Sequence, residues 1–293
     1  MRAKLLDARA ARIRPGWDDK VLADWNGLMI AALSRAAVVF AKSDWLELAR
    51  TAFEFVVANM QTADGRLWHS ARSGISKAPA TASDYANMIW AALRLHQATG
   101  EALYLDQATR WAATLDQHYW DSANGGYFTS ADDTADVIVR LKSAHDDAVP
   151  SANTIQLSNL IVLGALTGDA AYDTRARNML AAFTSAIAHG PVGHCGLLAA
   201  TFDIGQLLQV KLQNGDTTLL RDQVYGLSLP GAVEFAAATF SHETPGQPAN
   251  PRNADNKPTA VLCVGPTCDA PAVEPDRLRA RLLEARTSSK LTA

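Results

Sequence analysis

The sequence is poor in the features that mark secreted and nucleic-acid-binding proteins. Its 293 residues include only three cysteines, and the formal net charge is −3. A low, odd number of cysteines in a chain of this length is typical of a reducing compartment. A near-neutral charge argues against nucleic acid and against an acidic membrane surface, because both partners call for a basic patch.

Long apolar runs are also missing. No stretch reaches the roughly 18 uncharged apolar residues that a membrane span needs. The N-terminal stretch MRAKLLDARAARIRPG is basic but lacks the apolar core of a secretory signal. The sequence therefore predicts a cytoplasmic protein that binds neither membrane nor nucleic acid.

Signatures of common cofactors and metals are absent from the sequence. There is no P-loop, no Rossmann glycine pattern and no Gly-x-Ser-x-Gly elbow. CVGPTC, from Cys263 to Cys268, has four residues between its cysteines, a wider spacing than in the CxxC of redox and zinc motifs. No second pair completes a zinc site, so we predict structural thiols, no cofactor and no metal.

What the sequence does contain is an internal repeat. DWNGLMIAAL from Asp24 aligns with DYANMIWAAL from Asp84, 60 residues further on. DGRLWHS from Asp64 aligns with NGGYFTS from Asn124 at the same offset, and TGEALYLDQA aligns with TGDAAYDTRA 68 residues later. Three units therefore share one plan.

Apolar residues at spacings of three and four predict two helices in each unit. The first helices (A) are predicted near 24–40, 84–98 and 152–166, and the second helices (B) near 44–60, 102–118 and 170–188. Short A-to-B links make antiparallel hairpins. The starts of the A helices and the long segments with Gly-aromatic turns should therefore share one end, which we call the mouth. Repeated hairpins of this kind form a solenoid or close into a toroid.

The character of the chain changes after residue 205. QLLQVKLQ, AVEFAAATF and PTAVLCV predict strands, with helices near 217–227 and 275–285. SHETPGQPANPRNADNKP predicts an exposed loop. We therefore divide the chain into a helical-hairpin portion, residues 1–205, and a small α/β appendage, residues 206–293.

Four motifs resemble those of the thioredoxin-domain-containing protein family typified by spermatogenesis-associated protein 20. They are RIRPGWDDKVLADWNGLMIAAL, GGYFTS, DDAVPSANT and KPTAVLCVGPTC. The resemblance implies a mainly α fold, a partial α/α toroid of the six-hairpin glycosidase type. It also implies that a thioredoxin-like domain and the first hairpins are missing here, so we expect self-association or a partner chain that supplies hairpins. Asp147 and Ala152 replace glycines usual in the family, which puts the third unit's site in doubt.

We predict a sugar-binding site at the mouth, where these residues should lie together. In such sites the faces of aromatic rings cover the apolar C–H patches of a sugar, while carboxylates and amides bind its hydroxyl groups. The predicted catalytic residues are Asp18, Asp19, Asp84 and Asp146. The predicted substrate-binding residues are Trp25, Asn26, Tyr85, Arg140, Lys142, Ser151 and Asn153.

Structural explanations compete with this site. Asp, Ser and Asn are favoured helix N-caps, which is the preferred interpretation for Asp24 and Ser151 and an even alternative for Asp84. Histidine moves a proton next to a carbonyl in epimerases of similar architecture, which makes His69 and His145 candidates, although a loop histidine is more often solvated. Arg140 and Lys142 either clamp an anion or lie on a solvated edge.

Two functional hypotheses remain open at this point. The first is an enzyme of the glycosidase or epimerase type that binds or transforms a sugar or related polyol. The second is a non-catalytic binding or scaffold domain that normally works with a thioredoxin-like module in redox or protein-quality tasks.

Overall fold

The computed structural model describes residues 1–227, 229, 233–236, 257–265 and 267–288, with the backbone alone for 233–236 and 286–288. The chain begins with a helix that the sequence did not predict, α1 (Arg2–Ala10), which is exposed along its whole length. None of the helices in the described ranges combines the length and apolar character that crossing a bilayer requires. The predicted cytoplasmic location stays a prediction.

Three helical hairpins follow, and each predicted helix is confirmed to within two residues. The A helices are α2 (Ala23–Val39), α4 (Ala82–Thr99) and α6 (Ala152–Thr167), and the B helices are α3 (Ser43–Asn59), α5 (Ala102–His118) and α7 (Ala170–His189). Gly100 and Gly168 end α4 and α6 with φ of +77° and +74°. Glycine adopts this left-handed conformation without a Cβ penalty, which is why the links can be so short.

The central A helix, α4, organises the packing. It lies between α2 and α6, and nearly all of its side chains are buried. A short helix, α8 (Cys195–Thr201), packs on α6 after a single 3-10 turn. The largest fully buried side chains are Trp111, Tyr85, Tyr104, Tyr119 and Tyr127, all contributed by the second hairpin and its flanking turns.

A small antiparallel sheet sits beside the starts of α2 and α4. Its strands are β1 (Val21–Leu22), β2 (Trp68–Arg72) and β3 (Ile75–Pro79), in the order β1-β2-β3 with Val21 opposite Ala71. The Ser73-Gly74 pair that joins β2 to β3 has φ of +52° and +75°. Two positive φ values suit a tight hairpin turn, and this dipeptide was the available sequence signal.

The C-terminal part is α/β, as predicted. Its elements are β4 (Leu208–Gln213), α9 (Thr218–Tyr225), β5 (Val233–Ala236), β6 (Thr259–Val264), β7 (Thr267–Cys268) and α10 (Pro275–Ser288). The sheet order is β5-β4-β6-β7, with a hydrophobic cluster distinct from that of the hairpins. Most of the predicted loop, residues 241–256, lies outside the described residues. The division at residues 205 and 206 stays a prediction.

The prediction of structural thiols was wrong for two of the three cysteines. Cys263 and Cys268 form a disulfide, and Cys195 is the free, exposed cysteine. The reason is tertiary: β6 and β7 pair antiparallel with Cys263 directly opposite Cys268, and their Cα atoms are 3.9 Å apart. The four residues between the cysteines are one further strand pair, Val264 opposite Thr267, and the two residues that join the strands.

Candidate functional site

Asp84 lies fully buried where α2 and α4 begin. Its Oδ2 accepts hydrogen bonds from the backbone N–H of Thr81, at 2.7 Å, and from the Thr81 hydroxyl, at 2.9 Å. Its Oδ1 accepts the backbone N–H of Asp24, at 3.0 Å. The first N–H groups of a helix have no partner within the helix. One carboxylate therefore satisfies donors at the starts of two neighbouring A helices.

His69 and Asp24 complete a cluster around this carboxylate. His69 lies on β2, and its Nδ1 is 3.0 Å from Asp84 Oδ2 and 3.1 Å from Oδ1. Asp24 lies in the first turn of α2. One ligand atom of each of the three residues lies within 4.8 Å of the others. We call this group the Asp24–His69–Asp84 cluster.

Two members of the cluster were not in the predicted site. Asp24 was assigned to helix capping, but the N-cap of α2 is Leu22, and the Asp24 carboxylate accepts the N–H of Trp25 instead. His69 was expected to be solvated, yet only a third of its side chain is exposed. The available signal was the repeat itself, because Asp24 occupies the position that Asp84 holds one unit later.

The cluster changes the proton affinity of its members. The hydrogen bond to Asp84 is the main reason why the pKa of His69 is raised. Burial, followed by the charge of Asp84, raises the pKa of the Asp24 carboxyl. The cluster therefore favours the imidazolium form of His69 and the neutral form of Asp24 more than water does.

A metal ion is the other occupant that this donor set suggests, since two carboxylates and an imidazole are common ligands. Both oxygens of Asp84 already accept hydrogen bonds from helix donors, so a cation would have to displace them. A second group, His118, Asp132 and Asp133, has the same composition. There His118 pairs with Asp132 at 2.9 Å, and Asp133 pairs with Arg66. Neither arrangement leaves a set of unengaged ligands.

The raised pKa of His69 predicts how stability depends on pH. A histidine with a raised folded-state pKa stabilises the fold below its unfolded pKa of about 6.5, and this contribution is lost as pH rises through the folded value. Ionisation of Asp24 also lowers the stability of the fold as pH rises, but at lower pH, because the pKa of its carboxyl is raised in the folded state. We expect the stability advantage of the parent over His69→Gln to shrink between pH 5.5 and 8.5, as measured by urea unfolding at several pH values.

His189→Gln, at the exposed C-terminal end of α7, is the control for losing a histidine elsewhere. If the advantage over His69→Gln grows with pH, the His69–Asp84 bond does not raise the pKa of this histidine.

The predicted residues Asp18 and Asp19 form ion pairs with different partners. Asp18 pairs with Lys20 at 3.4 Å, and Asp19 pairs with Arg72 of β2 at 2.5 Å. Asn26 donates its side-chain N–H to the carbonyl of Leu22, at 2.8 Å. The crowded stretch before α2 therefore carries exposed ion pairs and leads into the edge strand β1, beside the cluster.

The predicted residues of the third unit form hydrogen bonds with backbone groups of neighbouring segments. The Asp146 carboxylate accepts the N–H of Ser151 at 3.0 Å, the Thr154 hydroxyl at 2.8 Å and the N–H of Gly196 at 2.8 Å. Ser151 is the N-cap of α6, as the capping interpretation predicted. Asn153 exchanges hydrogen bonds with both backbone groups of Tyr127. These side chains tie the start of α6 to α8 and to the second Gly-aromatic turn.

Arg140 and Lys142 are engaged within the segment that precedes α6. Arg140 donates to the carbonyls of Ser130 and His118, at 3.0 and 2.7 Å, and stacks on Phe128. Lys142 donates to Asp121 and to the carbonyl of Gly125, both at 2.6 Å. The hydrogen bond from Lys142 holds the pKa of Asp121 well below its usual range.

The two predicted aromatic residues have opposite environments although they are repeat equivalents. Tyr85 is fully buried, and its hydroxyl accepts the N–H of Leu67 at 3.0 Å. Trp25 is 62% exposed. Of the eleven predicted site residues, the contacts bring only Asp84 into the Asp24–His69–Asp84 cluster.

Comparisons with known proteins agree with this architecture. No protein-family model matches the chain. Human and rat spermatogenesis-associated protein 20 are each 30% identical to it over 94% of its length, and the chain spans 38% and 37% of these relatives. The GH76 α-mannanase of Bacteroides thetaiotaomicron has a similar fold, with a TM-score of 0.53 and 14% identity. That match covers 96% of this chain and 70% of the mannanase.

The resemblance seen in the motifs is thereby confirmed over nearly the whole chain, and so is the predicted fold class. The identity to the mannanase is too low to indicate more than a shared fold. The chain is a homologue of spermatogenesis-associated protein 20, matching little more than a third of that protein, and its helical hairpins have the α/α-toroid fold of six-hairpin glycosidases.

Proposed function

We propose that the Asp24–His69–Asp84 cluster is a proton-transfer site that acts on a sugar or related polyol. The observation that carries the proposal is the contact between His69 Nδ1 and the buried Asp84 carboxylate, at 3.0 Å. An Asp–His pair of this kind fixes which ring nitrogen carries the proton.

The contact determines the tautomer of a neutral His69. Because an ionised carboxylate only accepts hydrogen bonds, Nδ1 carries the hydrogen and the lone pair is on Nε2. Within the described residues Nε2 has no hydrogen-bond partner, and a third of the side chain is exposed. Nε2 is thus the atom available to take a proton from a ligand.

Asp24 and Asp84 support the charged state that follows. When Nε2 takes a proton, the ring becomes an imidazolium between two acidic groups, both of which raise its pKa. The same groups are positioned before the reaction, so the protein does not reorganise as charge develops. The Asp24 carboxyl is also the member of the cluster with an oxygen left to accept a ligand hydroxyl.

Proton transfer fits the cluster better than glycoside hydrolysis does. A glycosidase uses two carboxyl groups, one on each side of the scissile bond. Asp84 is buried and binds donors from two helices, so Asp24 alone could act on a substrate. Proton transfer next to the carbonyl of an open-chain sugar needs only one histidine as the base. His69 Nε2 takes the proton from the carbon beside the carbonyl, and the electrons of the broken C–H bond form an enediolate. A proton then returns to that carbon.

The carbohydrate class rests on fold analogy. The mannanase with the similar fold is a glycosidase by its description, and the chain shares its hairpin architecture.

Solvent exchange tests the proposal directly. In D₂O, we expect the protein to replace the hydrogen on C2 of free aldoses with deuterium. Proton NMR of mannose, glucose and cellobiose measures this exchange as loss of the C2 proton signal. His69→Gln should slow this exchange by roughly 100-fold or more, the size of a lost general base. His189→Gln should exchange at the parent rate.

Thermal shift with the same sugars separates the two functional hypotheses. Stabilisation by a sugar without any exchange would favour a non-catalytic binding domain and contradict the proton-transfer step. Neither stabilisation nor exchange with any of the three sugars would overturn the assignment of this site to these ligands.

A further inference from the structure

A pocket of about 180 Å³ lies between the third hairpin and the C-terminal part of the chain. It is at the end of α6 that is far from the mouth, because its wall includes Gly164 in the last turn of that helix. The buried side chains of Leu160 and Leu207 form part of its apolar lining. We call this space the Gly164 pocket.

The repeat shows which side chain the third unit lacks here. The alignment of TGEALYLDQA with TGDAAYDTRA makes Gly164 the counterpart of His96, 68 residues earlier. The backbones agree, since the carbonyl of His96 accepts the N–H of Gly100 at 2.7 Å and that of Gly164 accepts the N–H of Gly168 at 2.9 Å. His96 is buried, at 1% exposure. The second unit therefore has a buried imidazole where the third unit has a pocket.

The hydrogen-bond acceptor of that imidazole is repeated as well. His96 Nδ1 lies 2.9 Å from the carbonyl oxygen of Glu101, and because a carbonyl only accepts, Nδ1 donates. Asp169 holds the position of Glu101 in the third unit. A Cβ built on Gly164 would lie 3.9 Å from the Asp169 carbonyl oxygen. The Gly164 pocket thus keeps the acceptor and lacks the ring that donates to it.

Carboxylates in the pocket wall favour a cation. Asp169 caps α7, and Asp173 pairs with Arg177 at 2.8 Å, so both are already engaged. Asp203 also lines the pocket and is partly buried. Burial raises the pKa of Asp203 to about 6, although the charge of Arg94 lowers it. A carboxylate whose charged form is disfavoured by burial is stabilised by a cation placed beside it.

We propose that the Gly164 pocket binds a small cationic ring with N–H donors, of the imidazolium class. One N–H would donate to the Asp169 carbonyl, as His96 does to its counterpart, and Asp203 would balance the charge. An apolar cavity of about 150 Å³ is large enough for benzene. The Gly164 pocket, at about 180 Å³, therefore has room for a five-membered ring with a short substituent. The site is separate from the Asp24–His69–Asp84 cluster and does not depend on its activity.

Titration of the whole chain with 4-methylimidazole, followed by ligand-observed NMR, tests the proposal. We expect saturable binding to the parent. Gly164→His should weaken it by more than about tenfold, because the new imidazole fills the pocket. The fold accommodates this change, since a Cβ at position 164 meets no atom closer than 3.5 Å. Asp203→Asn keeps the shape of the pocket and should also weaken binding by about tenfold, because a neutral amide replaces a charge-assisted acceptor.

Asp173→Asn is the matched control, because this exposed acid already pairs with Arg177, and the affinity should stay within about twofold of the parent. The 1,3-dimethylimidazolium ion has the same ring and charge without an N–H, so it should bind at least about tenfold more weakly. Equal affinity for this ion, equal affinity of Gly164→His and the parent, or no saturable binding to the parent would each overturn the proposal.

The ring could belong to a free molecule or to a histidine of a peptide, and one further ligand separates these sources. Tighter binding of N-acetylhistidinamide than of 4-methylimidazole would support the proposal with a peptide side chain as the ligand. The reverse order would support it with a free small molecule as the ligand.

Discussion

Asp84→Ala should lower the free energy of unfolding by about 3–5 kcal/mol, the range seen when one partner of a buried charged network is removed. The carboxylate is fully buried and accepts the N–H groups of Thr81 and Asp24, the Thr81 hydroxyl and His69. Removing it leaves these partly buried donors without their partner, and each unsatisfied donor costs roughly 1–3 kcal/mol. Urea unfolding monitored by far-ultraviolet circular dichroism measures the loss.

Asp18→Ala is the matched control for removing an aspartate. Asp18 is exposed and pairs only with Lys20, so its loss should change stability by less than about 0.5 kcal/mol. A loss below about 1 kcal/mol for Asp84→Ala would mean that water or a rearranged side chain replaces the carboxylate. It would also show that the starts of α2 and α4 do not depend on the Asp84 carboxylate.

The second large effect concerns the contact between α2 and α4. A Cβ on Gly27 would lie 2.6 Å from the carbonyl carbon of Asn87 and 2.7 Å from its oxygen. These are backbone atoms of α4, so no flexible side chain can move aside and the helices must separate. Alanine in a helix gains about 1 kcal/mol over glycine, but overpacking of this kind costs about 1–3 kcal/mol or more. Because the clash is with backbone atoms, we expect the cost to lie at the upper end of this range, so that Gly27→Ala is destabilising by about 1–2 kcal/mol net.

Gly16→Ala provides the comparison, because no heavy atom lies within 4 Å of a Cβ built at Gly16. Its effect on urea unfolding should stay within about 0.5 kcal/mol. Gly27→Ala should also weaken sugar-dependent proton exchange, since it shifts Asp24 relative to Asp84. A Gly27→Ala variant as stable as the parent would show that α2 and α4 tolerate a wider spacing.

The helices were predictable because their signals are local. Apolar spacing of three and four, Gly100 and Gly168 after two A helices, and the 60-residue offset are all properties of neighbouring residues or of the repeat. Helical periodicity follows from hydrogen bonds between residues four apart, and it does not depend on what the helix later touches. The six hairpin helices followed from this kind of information, and strands β4 and β6 followed from short apolar runs, whereas β7 was not predicted.

The site depends on contacts between residues far apart in the chain. Asp24 and His69 reach Asp84 because Gly27 lets α2 lie against α4, and because β2 pairs with β1 beside the helix starts. From the sequence alone, Asp84 was balanced between cap and ligand, and in the structure one carboxylate caps two helices and orients a histidine. The disulfide likewise follows from the β6–β7 register. The sequence by itself determined which segments are helical and how often they recur, whereas the tertiary structure decided which polar groups of the mouth are already used by the backbone and which remain for a ligand.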